Sequence, residues 1–63
     1  MASELEIRRY DKDRLHELLK LKKLNDKAGV SVVGLDEAIN RTTAIMLQDD
    51  VLVVEQMIAN LQI

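Results

Sequence analysis

The sequence predicts a mainly α-helical fold, built either as a short helical hairpin or as a chain of three helices. The chain contains no proline, and its only two glycines, Gly29 and Gly34, lie close together, so a single break is clearly marked. Tyr10 is the only aromatic residue, and the abundant aliphatic side chains suit helix–helix packing. Leucines recur at helical spacing between residues 15 and 24.

Two starting points compete for the first helix, which we expect at about residues 11–28. Residues 3–6 have the sequence Ser-Glu-Leu-Glu, a capping-box pattern that would start the helix at Glu4. Against this, apolar and polar residues alternate over residues 5–9 as in a short strand, and Asp11 or Asp13 can cap a helix that begins later. We favour the later start, with residues 1–10 extended or frayed.

The body of the first helix has a broad apolar stripe with lysines on the solvent side. The stripe consists of Leu15, Leu18, Leu19, Leu21 and Leu24, and the lysines are Lys20, Lys22 and Lys23. Gly29 is placed to adopt the left-handed conformation that closes a helix. The β-branched stretch Val30-Ser31-Val32-Val33 then predicts a non-helical connector at residues 29–34.

The second half predicts helices at about residues 35–48 and 50–61. Asp36 and Glu37 suit a first helical turn, because acidic side chains are favourable at the positive end of the helix dipole. Five apolar residues at 47, 51, 54, 58 and 61 have the spacing of a coiled-coil seam, so residues 50–61 are predicted as a dimerisation helix in a helical bundle or antiparallel coiled-coil dimer. The predicted dimer or partner interface is Leu47, Val51, Val54, Met57, Ile58 and Leu61.

The acidic pair Asp49-Asp50 interrupts this apolar half. On a continuous helix Asp50 would project on the same side as Met46, Val53 and Met57, where a lone carboxylate is costly to bury. Either one of the two aspartates caps a new helix after a bend, or the face at Asp50 is open to water or to a basic partner. We favour the bend.

The length and composition predict one small domain, residues 1–63, that gains stability by self-association. A chain of 63 residues buries only about 60% of the surface that its unfolded form exposes, so its stability is marginal, and the absence of cysteine excludes disulfides and zinc–thiolate sites. A homodimer or higher homo-oligomer is therefore expected. No apolar run is long enough to span a bilayer and no signal peptide is visible, so we expect a cytoplasmic protein without a membrane partner.

Charge is distributed unevenly along the chain. Residues 1–30 carry eight Lys/Arg and six Asp/Glu, whereas residues 31–63 carry one and five. The basic first half permits contacts with phosphates, but it equally permits pairing between the two halves of the chain. Solvated helix faces are the preferred interpretation of these charges.

No catalytic or metal-binding pattern is visible. His16 is the only histidine, and zinc sites need three or four ligands rich in His or Cys. Ser3 and Ser31 lack an activating base, and Asp49-Asp50 lacks the dedicated loop of a hard-cation site. We therefore expect no enzyme, no metal and no cofactor.

Residues 7–47 carry a set of short motifs in a recognisable order. Ile-Arg-x-Tyr ending at Tyr10 is followed by an acidic turn, a basic leucine helix, Ala-Gly-Val-Ser ending at Ser31, and a helix with Ala38 and Ile39. This order resembles the second half of the winged-helix domain of the mercury-resistance-regulator (MerR) family, especially its heat-shock-repressor-like and chaperone-modulator-like branches.

The resemblance implies roles for particular residues. Arg8 and Tyr10 match wing positions that touch the DNA backbone, and Leu15, Leu18 and Val30 match core positions. The final apolar helix lies where the family has its dimer helix. No helix-turn-helix precedes these motifs in the sequence, so base-specific readout of DNA is not expected.

Three functions remain open from the sequence. The preferred hypothesis is a small protein–protein interaction module that dimerises and modulates a partner protein, such as a related transcription regulator or a chaperone. A DNA-binding regulator is the first alternative, with possible phosphate contacts at Arg8, Arg9, Tyr10, Lys12 and Arg14. A structural four-helix-bundle component of a phage or plasmid assembly is the second.

Overall fold

A computed structural model describes residues 3–62, which form three α-helices. Helix α1 spans Glu4–Ala28, α2 spans Leu35–Ala44 and α3 spans Gln48–Ala59. No strand occurs within residues 3–62, so the prediction of a mainly α-helical fold is confirmed, and of its two alternatives the chain adopts three helices. The predicted state of residues 1 and 2, the start of the expected extended segment, lies outside the described residues.

Helix α1 begins seven residues earlier than the favoured prediction, so the expected extended segment at residues 4–10 is wrong. The Ser3 hydroxyl accepts a hydrogen bond from the amide of Glu6 at 3.2 Å, and the Ser3 carbonyl accepts one from the amide of Ile7 at 3.0 Å. These bonds satisfy amides that a helix start otherwise leaves unpaired. The Ser3 N-cap therefore prevails over the local alternation of apolar and polar residues.

Helix α1 ends as its glycine predicts. Gly29 has φ 72°. Its amide donates a hydrogen bond to the carbonyl of Asp26, and the amide of Val30 donates one to the carbonyl of Asn25. This paired arrangement is a left-handed helix stop that favours glycine. The predicted non-helical connector at residues 29–34 is confirmed, and Gly34, with φ 85°, precedes the first residue of α2.

The break between α2 and α3 lies earlier than predicted. Helix α2 ends at Ala44 and α3 begins at Gln48, with Leu47 at the N-cap, so neither Asp49 nor Asp50 has the predicted capping role. Both aspartates lie instead in the first turn of α3, where the helix dipole favours negative charge. The favoured bend is therefore present, at residues 45–47, and Asp50 is buried and paired with Arg8 of the same chain.

Helix α1 is the central element, because α2 and α3 both pack mainly against it. An ion pair joins Lys22 to Asp36 near the end of α1 and the start of α2, so α2 runs antiparallel to α1. Contacts of Arg8 with Asp50 and of Lys23 with the carbonyl of Ile58 show that α3 runs parallel to α1. The two shorter helices thus run in opposite directions, and each packs against α1.

The core is small and lies where the three helices meet. Leu15 is fully buried between Val51 and Val54 of α3, and Leu35 is buried at the start of α2. Four partly buried residues complete the cluster: Leu19, Ile39, Met46 and Ile58. A core of this size leaves much of the aliphatic content of the chain on the surface.

Candidate interaction surface

Exposed apolar side chains outnumber buried ones among residues 3–62. Thirteen large apolar residues are exposed, against four that are buried. The exposed group consists of Leu5, Ile7, Tyr10, Leu21, Leu24, Val30, Val32, Val33, Ile45, Leu47, Leu52, Val53 and Met57. Scattered exposed residues of this kind are normal, but contiguous apolar patches indicate sites of interaction.

Four of these exposed residues lie on one face of α1 that we call the outer stripe. It consists of residues 7, 10, 14, 17, 21 and 24, all of them exposed. Its ends are apolar, with Ile7 and Tyr10 towards the N-terminus and Leu21 and Leu24 towards the C-terminus. The centre carries Arg14 and Glu17.

The outer stripe continues onto neighbouring elements. One groove lies between α1 and α2 and is lined by Tyr10, Arg14, Arg41 and Ile45, among others. A second groove, beside Ile7, reaches Ile45 and Leu47 at the link between α2 and α3. The apolar surface therefore extends from the first turns of α1 to this link.

The residues predicted to form a dimer interface fall into two groups. Val51 and Val54 are buried against Leu15 within the chain, and Ile58 packs against the same cluster. Leu61 is half-buried, whereas Leu47 and Met57 are exposed. The inner part of the seam thus contacts α1, and of the six predicted interface residues only Leu47 and Met57 expose most of their surface to solvent.

Arg8 and Asp50 join the start of α1 to the start of α3. The Arg8 Nε donates to Asp50 Oδ2 and Nη2 donates to Oδ1, both at 3.0 Å, which is the two-pronged geometry of a strong guanidinium–carboxylate pair. Asp50 is 6% exposed. The hydrogen bonds from Arg8 lower the pKa of Asp50, while partial burial of the carboxylate opposes that shift. The pair is a structural clasp between the two helices.

The five predicted phosphate contacts do not form a single surface. Arg8 is engaged with Asp50, as described above. Arg9 and Lys12 line a groove between α1 and α3, together with Val53 and Met57. Tyr10 and Arg14 line the groove beside α2, on another side of the helix. The five residues are therefore spread over different sides of α1.

Two lysines that the sequence placed in solvent have partners in neighbouring helices. Lys23 Nζ donates to the carbonyl oxygens of Ile58 and Leu61, each at 3.0 Å, and so pairs backbone groups that the end of α3 leaves free. Lys22 Nζ binds Asp36 Oδ1 at 2.8 Å, which raises the pKa of Lys22 through the hydrogen bond and the charge of that carboxylate. These lysines position α2 and α3 along α1.

The acidic side chains and the histidine of residues 3–62 are dispersed over the three helices. No group of three or more His, Cys, Asp or Glu side chains in this range could hold a metal ion. His16 lies in the groove with Arg9, Lys12 and Asp13. None of the helices described is long and apolar enough to cross a membrane.

Comparison with known proteins identifies no related protein. No protein-family model, no curated protein and no solved structure matches this chain. Residues 8–10 are helical, so the wing strand that the MerR resemblance implies is not formed at these positions. Family membership stays a prediction from the motifs, and the case for function rests on the surface.

Proposed function

We propose that this protein is a small, non-enzymatic interaction module that self-associates through its exposed apolar surface and regulates a partner protein. The observation that carries the proposal is the excess of exposed over buried large apolar residues. A domain of this size gains little stability from its own core, and covering apolar surface with a second chain supplies more. Self-association is therefore the primary activity proposed.

The surface also limits which partners suit the module. The candidate cations are dispersed around α1, and one of them is committed to Asp50, so we do not propose a nucleic-acid surface. Protein partners suit an aliphatic surface better, because burial of apolar area drives protein association. A transcription regulator or a chaperone, the partners that the MerR resemblance implies, would be the proteins regulated.

Sedimentation equilibrium from low-micromolar to millimolar concentrations tests self-association directly. We expect a reversible increase in mass from monomer to dimer or a higher oligomer. A protein that remains monomeric at millimolar concentration would remove the proposal. Binding of labelled duplex DNA at low salt tests the DNA-binding alternative, and saturable binding at micromolar protein would favour that function instead.

Matched variants locate the surface without disturbing the core. Leu21→Lys changes α1 at the outer stripe, and Met57→Lys makes a comparable change on α3, where the sequence placed the dimer helix. Both side chains are about half exposed, so both variants should fold. If self-association occurs through these apolar surfaces, at least one variant weakens it, and unchanged association in both would contradict the proposal.

A further inference from the structure

The outer stripe has the spacing of a coiled-coil contact surface. Its six positions are separated alternately by three and four residues, which is the spacing that keeps one face of a helix against a partner helix. All six are exposed, whereas Leu15 on the opposite side of α1 is fully buried. Helix α1 therefore carries two contact faces, and the chain itself covers only one of them.

We propose that the outer stripe binds the outer stripe of a second copy, with the two α1 helices antiparallel about a two-fold axis between residues 15 and 16. This inference rests on the self-association proposed above and identifies its interface. In this arrangement Ile7 lies against Leu24 of the second copy, and Tyr10 lies against Leu21 of the second copy. Both apolar ends of the stripe are then covered by apolar ends.

The charges at the centre of the outer stripe favour the antiparallel arrangement over a parallel one. The same two-fold axis places Arg14 opposite Glu17 of the second copy, and the symmetry repeats the pair. Neither residue forms an ion pair with any other residue in the range 3–62. A parallel dimer in register would instead place Arg14 against Arg14 and Glu17 against Glu17, which is unfavourable.

The charges of the residues that flank the outer stripe also match the antiparallel arrangement. Along one border of the stripe the first half of α1 is acidic, at Glu6 and Asp13, and the second half is basic, at Lys20 and Lys27. The antiparallel arrangement pairs Glu6 with Lys27 and Asp13 with Lys20 across the interface. These four residues form no ion pairs within the chain as described. A surface complementary to itself in both apolar contacts and charge indicates a second copy as its partner.

Charge reversal at the centre tests the pairing. Arg14→Glu alone and Glu17→Arg alone each replace two attractive contacts with two repulsive ones, so each should weaken dimerisation by roughly tenfold to a hundredfold. The double variant R14E/E17R restores opposite charges and should recover the affinity to within about threefold. An equimolar mixture of the two single variants should form a heterodimer in preference to either homodimer.

A control variant separates this pairing from a general effect of charge. Arg9→Glu makes the same change in net charge on the same helix, but Arg9 lies in the groove beside α3. It should leave the dissociation constant of the dimer unchanged. Helical content measured by far-UV circular dichroism confirms that each variant folds.

Cross-linking tests the orientation independently, because the natural chain has no cysteine. A mixture of Tyr10→Cys and Leu21→Cys proteins should form a mixed disulfide under mild oxidation, whereas neither variant alone should. Two copies of residue 10 would be separated by eleven residues along the helix, about 16 Å, which is far beyond the reach of a disulfide. Efficient cross-linking of Tyr10→Cys protein with itself would overturn the antiparallel arrangement.

The outcomes distinguish this inference from the proposed function. A wild-type protein that is monomeric at millimolar concentration removes both. A wild-type dimer whose dissociation constant is unaffected by either single charge reversal removes only the pairing of α1 with α1, and places self-association on another surface. Failure of the folded double variant to recover affinity also overturns the pairing.

Discussion

Replacement of Leu15 by alanine is the sharpest test of the fold, because this side chain is the centre of a small core. Leu15 is fully buried against Val51 and Val54, and one groove beside it opens to solvent between α2 and α3. Leucine-to-alanine changes in cores cost about 2–5 kcal/mol, and less where neighbours can close the space. The adjacent groove permits some closure, so we expect a loss of about 3 kcal/mol in the free energy of unfolding.

That loss is large for a chain of this length. Globular domains have about 0.05–0.15 kcal/mol of stability per residue, which gives roughly 3–9 kcal/mol for 63 residues. Leu15→Ala should therefore remove a third or more of the stability. Urea denaturation followed by far-UV circular dichroism measures the change, at a concentration low enough that self-association does not contribute.

Leu21→Ala is the matched control on the same helix. Leu21 is 46% exposed, so truncation removes about half the buried area of a core leucine and should cost about 1 kcal/mol in the monomer. Because leucine and alanine are both good helix formers, the helix itself is preserved. Equal losses in the two variants at low concentration would refute the placement of Leu15 in the core and of Leu21 outside it.

Three further predictions concern the Arg8–Asp50 clasp and the two ends of α1. Because Arg8 lowers the pKa of Asp50, the clasp contributes stability above the ordinary aspartate pKa of about 3.9 and loses it as pH falls through the folded-state value. Wild-type protein should therefore lose more stability than Asp50→Asn between neutral pH and about pH 2, and equal losses in pH-dependent denaturation would contradict the clasp. Ser3→Ala should cost about 1 kcal/mol and speed amide exchange in the first turn of α1, measured by NMR, whereas unchanged exchange would argue against the cap. Gly29→Ala should cost about 1 kcal/mol because φ is 72°, and Gly29→Asn should cost less in thermal denaturation.

Local signals were sufficient to predict a mainly helical chain and the break at residues 29–34, but they left open whether the chain has two helices or three. Gly29 and Gly34 both have positive φ, and no other residue described does; the left-handed conformation was predicted for Gly29, and Gly34 was predicted only to end the connector. The start of α1 was harder to predict, because a capping box and an alternating pattern overlap within residues 3–9. The contact between Arg8 and Asp50 helps to hold that first stretch against α3. Because these two residues are 42 positions apart in the sequence, the local pattern around either one does not predict their contact.

The surface was predicted less well than the fold. The spacing of Val51, Val54 and Ile58 correctly indicates a contact face, but spacing alone does not identify which helix that face meets. Leu21 and Leu24 were assigned to one broad stripe with Leu15, although the structure exposes both. The alternating three- and four-residue spacing of the outer stripe was the signal that could have separated the two faces.

Helix α1 has a core face and the outer stripe on different sides, and this restricts how the length of the helix can change. Inserting or deleting one residue near its middle turns the remainder by about 100°, so Leu19 would leave the core and Leu24 would leave the outer stripe in a single step. A change of seven residues preserves both faces, because seven residues are almost two full turns. Homologous chains should therefore differ in the length of α1 by whole heptads, and tolerate insertions of other lengths in the connector at residues 29–34.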